Sequence, residues 1–249
     1  MHEVTPLPPT IFEGGRGSYH CGMDEWFRSL PSAWLDGCEL RVFEVARAAY
    51  DSPGRHYHSW THVEDCVAKL RAMACESPRN VFLALLFHDA VYVPGRGDNE
   101  ELSAEMATAT LAWFSTIPED DRALIHRMIL ATRHHRAAAT EPHDLRVMLD
   151  IDMSILGADE ARYRRYADEV RREYVPAVTD EKRFRIGRLA FLRKLAASKA
   201  IFSTAEGAQL WDAPARGNIA WEIEHLESQQ GVLERAAGLA ARAFGKTPG

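Results

Sequence analysis

Between Val81 and Tyr92 the chain reads Val-Phe-Leu-Ala-Leu-Leu-Phe-His-Asp-Ala-Val-Tyr, an almost continuous apolar run that closes on an imidazole and a carboxylate side by side. A buried, uncompensated Asp is expensive, and the usual remedies are a partner cation, a hydrogen-bond network or a metal ion. The rest of the chain favours a metal. Upstream, Tyr57-His58-Ser59-Trp60-Thr61-His62 opens another amphipathic stretch, and downstream Arg133-His134-His135 and Asp150-Ile151-Asp152 supply further ligand-type side chains.

From Met23 onward the apolar positions recur with helical spacing almost everywhere, and no run of alternating β-branched residues is present, so the fold class is all-α. The spacing predicts helices over 24–30, 37–50, 59–77, 79–93, 100–116, 119–136, 143–156, 159–175, 180–198 and 215–244. Asp98 with Glu101 three residues on resembles a capping box, and Pro118 suits a helix's first turn. Residues 93–99, Val-Pro-Gly-Arg-Gly-Asp-Asn, are the stretch richest in turn formers and are expected at the rim of a pocket. Residues 1–22, with three prolines and four glycines, are expected to form a poorly ordered leader to one domain over 23–249.

With 46% hydrophobic residues among 249, one packed core is readily supplied. The formal net charge of −6 argues against a protein whose main task is gripping nucleic acid. No run of about 18 apolar residues exists and no secretory signal pattern is seen, which leads to the expectation of a cytoplasmic protein without a membrane partner. Cys21, Cys38, Cys66 and Cys75 form no zinc-finger spacing. In a helix over 59–77, Cys66 and Cys75 lie on opposite faces about 13 Å apart along the axis, too far for a disulfide.

Each candidate ligand has a plainer alternative. His62 falls on the stripe Ser59, Val63, Cys66, Leu70 and Met73, where a lone histidine is more often a hydrogen-bonded core residue than a ligand. His88 and Asp89 alone fit a buried polar network equally well. The conjunction of several such side chains aimed at one core points to a metal site. His143-Asp144, a second His-Asp pair, follows Pro142 in a polar stretch and takes the structural reading, a helix start with Asp144 near its positive end. The stripe Ile125, Met128, Ile129 and Thr132 continues to His135, so His134 points elsewhere. Asp152 fills the centre of the stripe Leu145, Met148, Leu149, Ile155 and Leu156, whereas Asp150 lies about 160° round the helix and faces away.

The pattern His62, then His88-Asp89, then Asp152 resembles the HD superfamily of metal-dependent phosphohydrolases. Tyr57-His58 followed by His62 is similar to the corresponding helix of cyclic nucleotide phosphodiesterases. Phe87-His88-Asp89-Ala90-Val91-Tyr92, Asp98-Asn99-Glu100 and Leu149-Asp150-Ile151-Asp152 resemble, more narrowly, a bacterial group of predicted HD phosphohydrolases with no assigned substrate. The resemblance spans about residues 24 to 230. It implies an HD-domain helical bundle in which His62, His88, Asp89 and Asp152 bind a divalent metal. Imidazoles and carboxylates accept Mn, Mg, Fe, Co, Ni or Zn to different degrees. Were a second ion present, Asp89 would bridge and His135 help to hold it.

The implied activity is hydrolysis of a small phosphate ester, with a nucleotide or nucleotide-like molecule as the first expectation, by a metal-activated water attacking phosphorus in line. His58, one helical turn before His62, is the natural general acid, against the alternative of a surface histidine beside an N-cap. Glu100 is a candidate to orient water, against the alternative of a helix-start acid. Asn99, Arg133 and Arg188 are candidate substrate contacts. Two rivals are an HD-fold diiron oxygenase and a non-catalytic, metal-dependent nucleotide sensor. Oligomeric state is left open, a homo-oligomer included.

Overall fold

The computed structural model describes the backbone of residues 26–244 and the side chains of residues 26–228. The expected leader and Cys21 lie outside the described residues. Within them all regular structure is helical, apart from one isolated bridge between Cys38 and Ser115. The fold is an all-α single domain.

The hub is α4 (Pro78–Phe87), the apolar run that stands out in the sequence. Every residue from Asn80 to Phe87 is buried, so this helix has no face to show to water. It is ringed by α1 (Ser32–Leu35), α3 (Trp60–Leu70), α5 (Asn99–Phe114), α6 (Glu119–Ala131) and α7 (His143–Met153), while α2 (Leu40–Ala49) packs on α5. The start of α4 is fixed from outside. Pro78 supplies its first turn, and the buried Asp144 of α7 accepts the backbone N–H groups of Glu76 and Ser77 at 2.8 and 2.7 Å. The second His-Asp pair therefore has a structural role, and its carboxylate caps the approach to a neighbouring helix as well as opening its own.

A second core gathers α8 (Glu160–Tyr174), α9 (Glu181–Ala196) and a long last helix, α10, around Leu156, Tyr163, Leu192 and Ile219. Helix α10 begins at Ala205–Gly207, passes through a π turn at Ala208–Asp212 and continues over Ala213–Phe244. Asp159 and Asp180 cap α8 and α9 by accepting the N–H groups of Arg162 and Arg183. The start of α10 is held by Asp150, whose carboxylate accepts from Ser203 N, Thr204 N and Thr204 Oγ1 at 2.6, 2.8 and 2.6 Å. A side chain at Gly207 would run into that carboxylate.

Several boundaries differ from the periodicity. Helix α4 stops at Phe87, not 93, and α6 stops at Ala131, not 136, so His88, Asp89 and His135 lie just beyond helix ends. Helix α3 ends at Leu70, not 77, and α10 starts ten residues before the expected 215. The short α1 carries only Trp34 as a buried residue, too little for a period to show. Asp98 does stand at the N-cap of α5, yet its carboxylate takes Arg96 at 2.8 and 2.7 Å instead of closing a capping box.

Candidate metal centre

Four ligand-type atoms from three separate places in the chain converge where the two cores meet. His62 comes from the first turns of α3, His88 and Asp89 from just past the end of α4, and Asp152 from the last turn of α7. His62 Nε2 lies 3.1 Å from His88 Nε2, 3.1 Å from Asp152 Oδ1 and 3.9 Å from Asp89 Oδ2. His88 Nε2 is 2.9 Å from Asp89 Oδ2 and 3.4 Å from Asp152 Oδ1. Bond lengths of about 2.1 Å to one central cation would place neighbouring ligand atoms about 3.0 to 3.4 Å apart, so the spacing suits a single divalent ion.

The tautomer of His88 suits it too. Nδ1 donates to the carbonyl of Leu85 at 2.8 Å, which leaves the Nε2 lone pair directed at the cluster. Without an ion the charges balance through a proton. Burial acts to lower His88, but the flanking Asp89 and Asp152 carboxylates override it and hold the ring well above its usual value. Burial acts to raise both carboxylates, and the His88 charge together with the other histidines around them, His58 beside Asp89 and the hydrogen-bonded His135 and His62 on Asp152, more than offsets this. His62, with burial dominant, is held below its usual value and so remains a neutral ring with a lone pair to offer. The residues therefore fit a divalent metal, which would take the place of the shared proton.

His135 reaches the cluster by a route that periodicity does not describe. Helix α6 has already ended, and His135 adopts a left-handed backbone with φ +46°, an unusual conformation for a residue with a side chain. Its Nε2 meets Asp152 Oδ2 at 2.8 Å, so it orients a ligand from behind. The structure joins His135 to the site through Asp152, whereas the expected second-ion arrangement has Asp89 as the bridge. His134 is exposed. Asp150 does face away from the cluster, though into the buried Ser203–Thr204 turn and not toward solvent.

A cleft of about 540 Å³ opens onto the centre, with Asp89, Asp152, His135 and His58 on its wall. His58 precedes α3 instead of riding on it, and its side chain is 20% exposed. Its Nδ1 lies 2.6 Å from Glu173 Oε2, and its ring stacks on Tyr92 at 3.9 Å between centroids. Glu173 Oε1 accepts the backbone N–H groups of His56, Tyr57 and His58 at 2.8, 2.8 and 2.9 Å. Arg55 ties the same segment to the turn after α4 by donating to the carbonyls of His58, Asp89 and Ala90 at 3.0, 2.6 and 2.8 Å.

The remaining expected contacts separate. Glu100 and Arg133 line the cleft, 3.6 Å apart, with Arg133 also held by Glu101 and the Gly97 carbonyl. Asn99 gives up its expected substrate contact. Its amide is closed on Val93, accepting from N and donating to O at 3.0 Å each, and so zips the turn-rich loop shut. Arg188 lines the cleft, but its charge is committed to Glu222 at 2.8 and 3.0 Å.

Three neighbours of the site carry no warning in the sequence. Glu173 follows Arg171 and Arg172 and reads as part of a solvated helix face, and Arg55 sits in a Pro-Gly-Arg turn. Cys66 is legible as a stripe member but not as a neighbour of the site. Its sulfur lies 3.7 and 3.8 Å from the two ring nitrogens of His62, within reach of a His62, Cys66 and Asp152 donor set, and burial pushes its thiol well up. Comparison of the chain with protein-family models, with curated proteins and with solved structures returns no match.

Proposed function

We propose that the protein is a divalent-metal-dependent hydrolase of a small phosphate ester. One observation carries the reading: the cleft that reaches Asp89 and Asp152 of the centre also exposes His58, an imidazole with a carboxylate of its own behind it. His62, His88, Asp89 and Asp152 are the residues that would hold the ion. A divalent ion so held supplies Lewis-acid activation of water and neutralises charge that builds on the phosphoryl oxygens.

The protein's own groups have distinct tasks. With Nδ1 engaged by Glu173, His58 has Nε2 left to donate, and it delivers a proton to the departing alkoxide oxygen. Burial acts against a charged His58, but Asp89 and Glu173 outweigh it and raise the ring above its ordinary value, which keeps it protonated as an acid must be. His135 holds Asp152 in place. Glu100, steadied by Arg133, gives the cleft wall a carboxylate that can orient water. The test is metal analysis of the purified protein followed by a phosphate-release screen with Mn, Mg, Co and Ni. Copurifying or tightly bound metal with release from at least one class of ester is expected, and metal-loaded protein that releases phosphate from none of them overturns the proposal.

A further inference from the structure

We infer that the alcohol released from the substrate is bulky and apolar, an aryl or long alkyl group, and not a sugar or a nucleoside; the inference rests on the phosphohydrolase reading above. The cleft has two chemically different parts. Its carboxylates are Asp89, Glu100 and Asp152, two of them in the metal cluster and the third paired with Arg133. Where the wall is built by α8, α9 and the segment between them, it presents Val170, Val178, Phe184 and Phe191, with Tyr166, Tyr174 and Thr179 as its hydroxyl groups and no carboxylate.

The one buried cation of that wall does not alter the picture. Arg188 places Nε and one terminal nitrogen on Glu222, and the other terminal nitrogen lies 3.3 Å from the Tyr166 hydroxyl. Tyr163 donates to the same Glu222 at 2.6 Å, so the carboxylate is shared as well as paired. The guanidinium lies over the rings of Tyr166 and Phe191, 5.1 and 5.3 Å from their centroids. Its charge is neutralised by Glu222, three of its five N–H donors are engaged, and its faces are stacked, so it is an arginine already paired and not a free cation awaiting a second phosphate. Arg183 also borders the cleft, but its side chain is 81% exposed and its Nε lies 3.8 Å from the Asp180 carboxylate.

A polyhydroxylated leaving group would therefore exchange water for a wall with few partners, which is unfavourable for each hydroxyl left unpaired. An apolar group gains instead. Val178 and Phe191 are 46% and 39% exposed at this wall, apolar surface that a ligand in the cleft would cover.

The experiment uses esters of primary alcohols, so that leaving-group acidity varies little: ethyl, butyl, octyl and naphthylmethyl phosphate against glycerol 3-phosphate, glucose 6-phosphate and adenosine 5′-monophosphate. In the metal-loaded protein kcat/KM should climb roughly threefold to fourfold per added methylene until the cleft is filled. Octyl and naphthylmethyl phosphate should exceed the sugar phosphates and the nucleotide by about 100-fold or more. Phe184→Ser should narrow that ratio about tenfold, and Phe191→Ser, at an already half-exposed position, serves if the first variant folds poorly. Calorimetric binding of octylphosphonate against ethylphosphonate gives a readout independent of turnover. A preference for the nucleotide or sugar phosphates, or equal binding of the two phosphonates, overturns this inference and leaves the hydrolase reading standing. Tighter octylphosphonate binding with no release from any ester supports the apolar pocket and overturns the hydrolase reading.

Discussion

Glu173 holds His58 by backbone and ring at once: Oε1 accepts the His58 backbone N–H at 2.9 Å, and Oε2 stands 2.6 Å from Nδ1 of the same residue. The pair fixes both the position of the imidazole and the nitrogen that is free to act. Burial acts to raise Glu173, and the hydrogen bond and charge of His58 reverse that and lower it, so each partner favours the charged form of the other.

The pH profile should report this pair. A general acid works while protonated, and His58 is raised, so turnover of an alkyl phosphate should hold through neutral pH and fall as pH rises through the elevated value. In Glu173→Gln the amide can donate to Nδ1 and so favours a neutral ring, and the alkaline limb should move to lower pH. The Oε1 contacts to the loop can persist in that variant. An unmoved limb would remove His58 from the acid role.

His58→Ala should keep the metal and lose about 10²- to 10⁴-fold in turnover on alkyl phosphates. Aryl phosphates, whose leaving groups need less protonation, should lose much less. Equal losses on both would mean that His58 serves only to shape the loop.

The centre itself should be linked to stability, because an ion that binds only the folded chain shifts the folding equilibrium. Chelation should lower Tm, and added metal should restore it. His88→Ala and Asp89→Ala should show no such restoration and no copurifying metal by elemental analysis; normal occupancy in both would refute the ligand assignment.

The clustered His and Asp side chains were legible because each interrupts an apolar pattern that points inward. His62 and Asp152 fill gaps in helical stripes, and His88 and Asp89 end the run that becomes the central helix. The supporting groups were not legible, because their meaning comes from residues far away in sequence. Glu173 is 115 positions from His58, and the Arg188–Glu222 pair spans 34. Arg188 looked like a phosphate contact for the same reason, since nothing local shows that a carboxylate on the next helix already holds it. His135 was placed on the right stripe by a helix that in fact ends four residues earlier, and its left-handed backbone brings it to Asp152.

Arg55 should matter more than its loop position suggests. Its guanidinium joins the His58 carbonyl to those of Asp89 and Ala90, and it lies against the rings of Tyr50 and Tyr92. A lysine cannot span three acceptors in one plane. Arg55→Lys should destabilise the fold by about 1 to 3 kcal/mol, the range for stranding buried hydrogen-bond partners. It should also lower kcat while leaving metal content near one per chain. Unchanged kcat in a folded variant would show that the loop needs no such tie.

The two aspartates of α7 should separate cleanly, since they lie two residues apart on opposite sides of one helix. Asp152 places Oδ1 within 3.4 Å of both His62 and His88 and gives Oδ2 to His135. Asp152→Asn should thus abolish metal binding and turnover while the fold survives. Asp150 contacts none of these groups and instead accepts three hydrogen bonds at the start of α10. An asparagine there keeps one acceptor oxygen but turns an N–H₂ toward backbone donors, which strands at least one of them. Asp150→Asn should therefore keep its metal yet lose about 1 to 3 kcal/mol of stability in denaturant unfolding. Gly207→Ala, which sets a methyl group against the same carboxylate, should lower stability with metal content unchanged. Metal loss in Asp150→Asn with retention in Asp152→Asn would show that α7 turns its other face to the site.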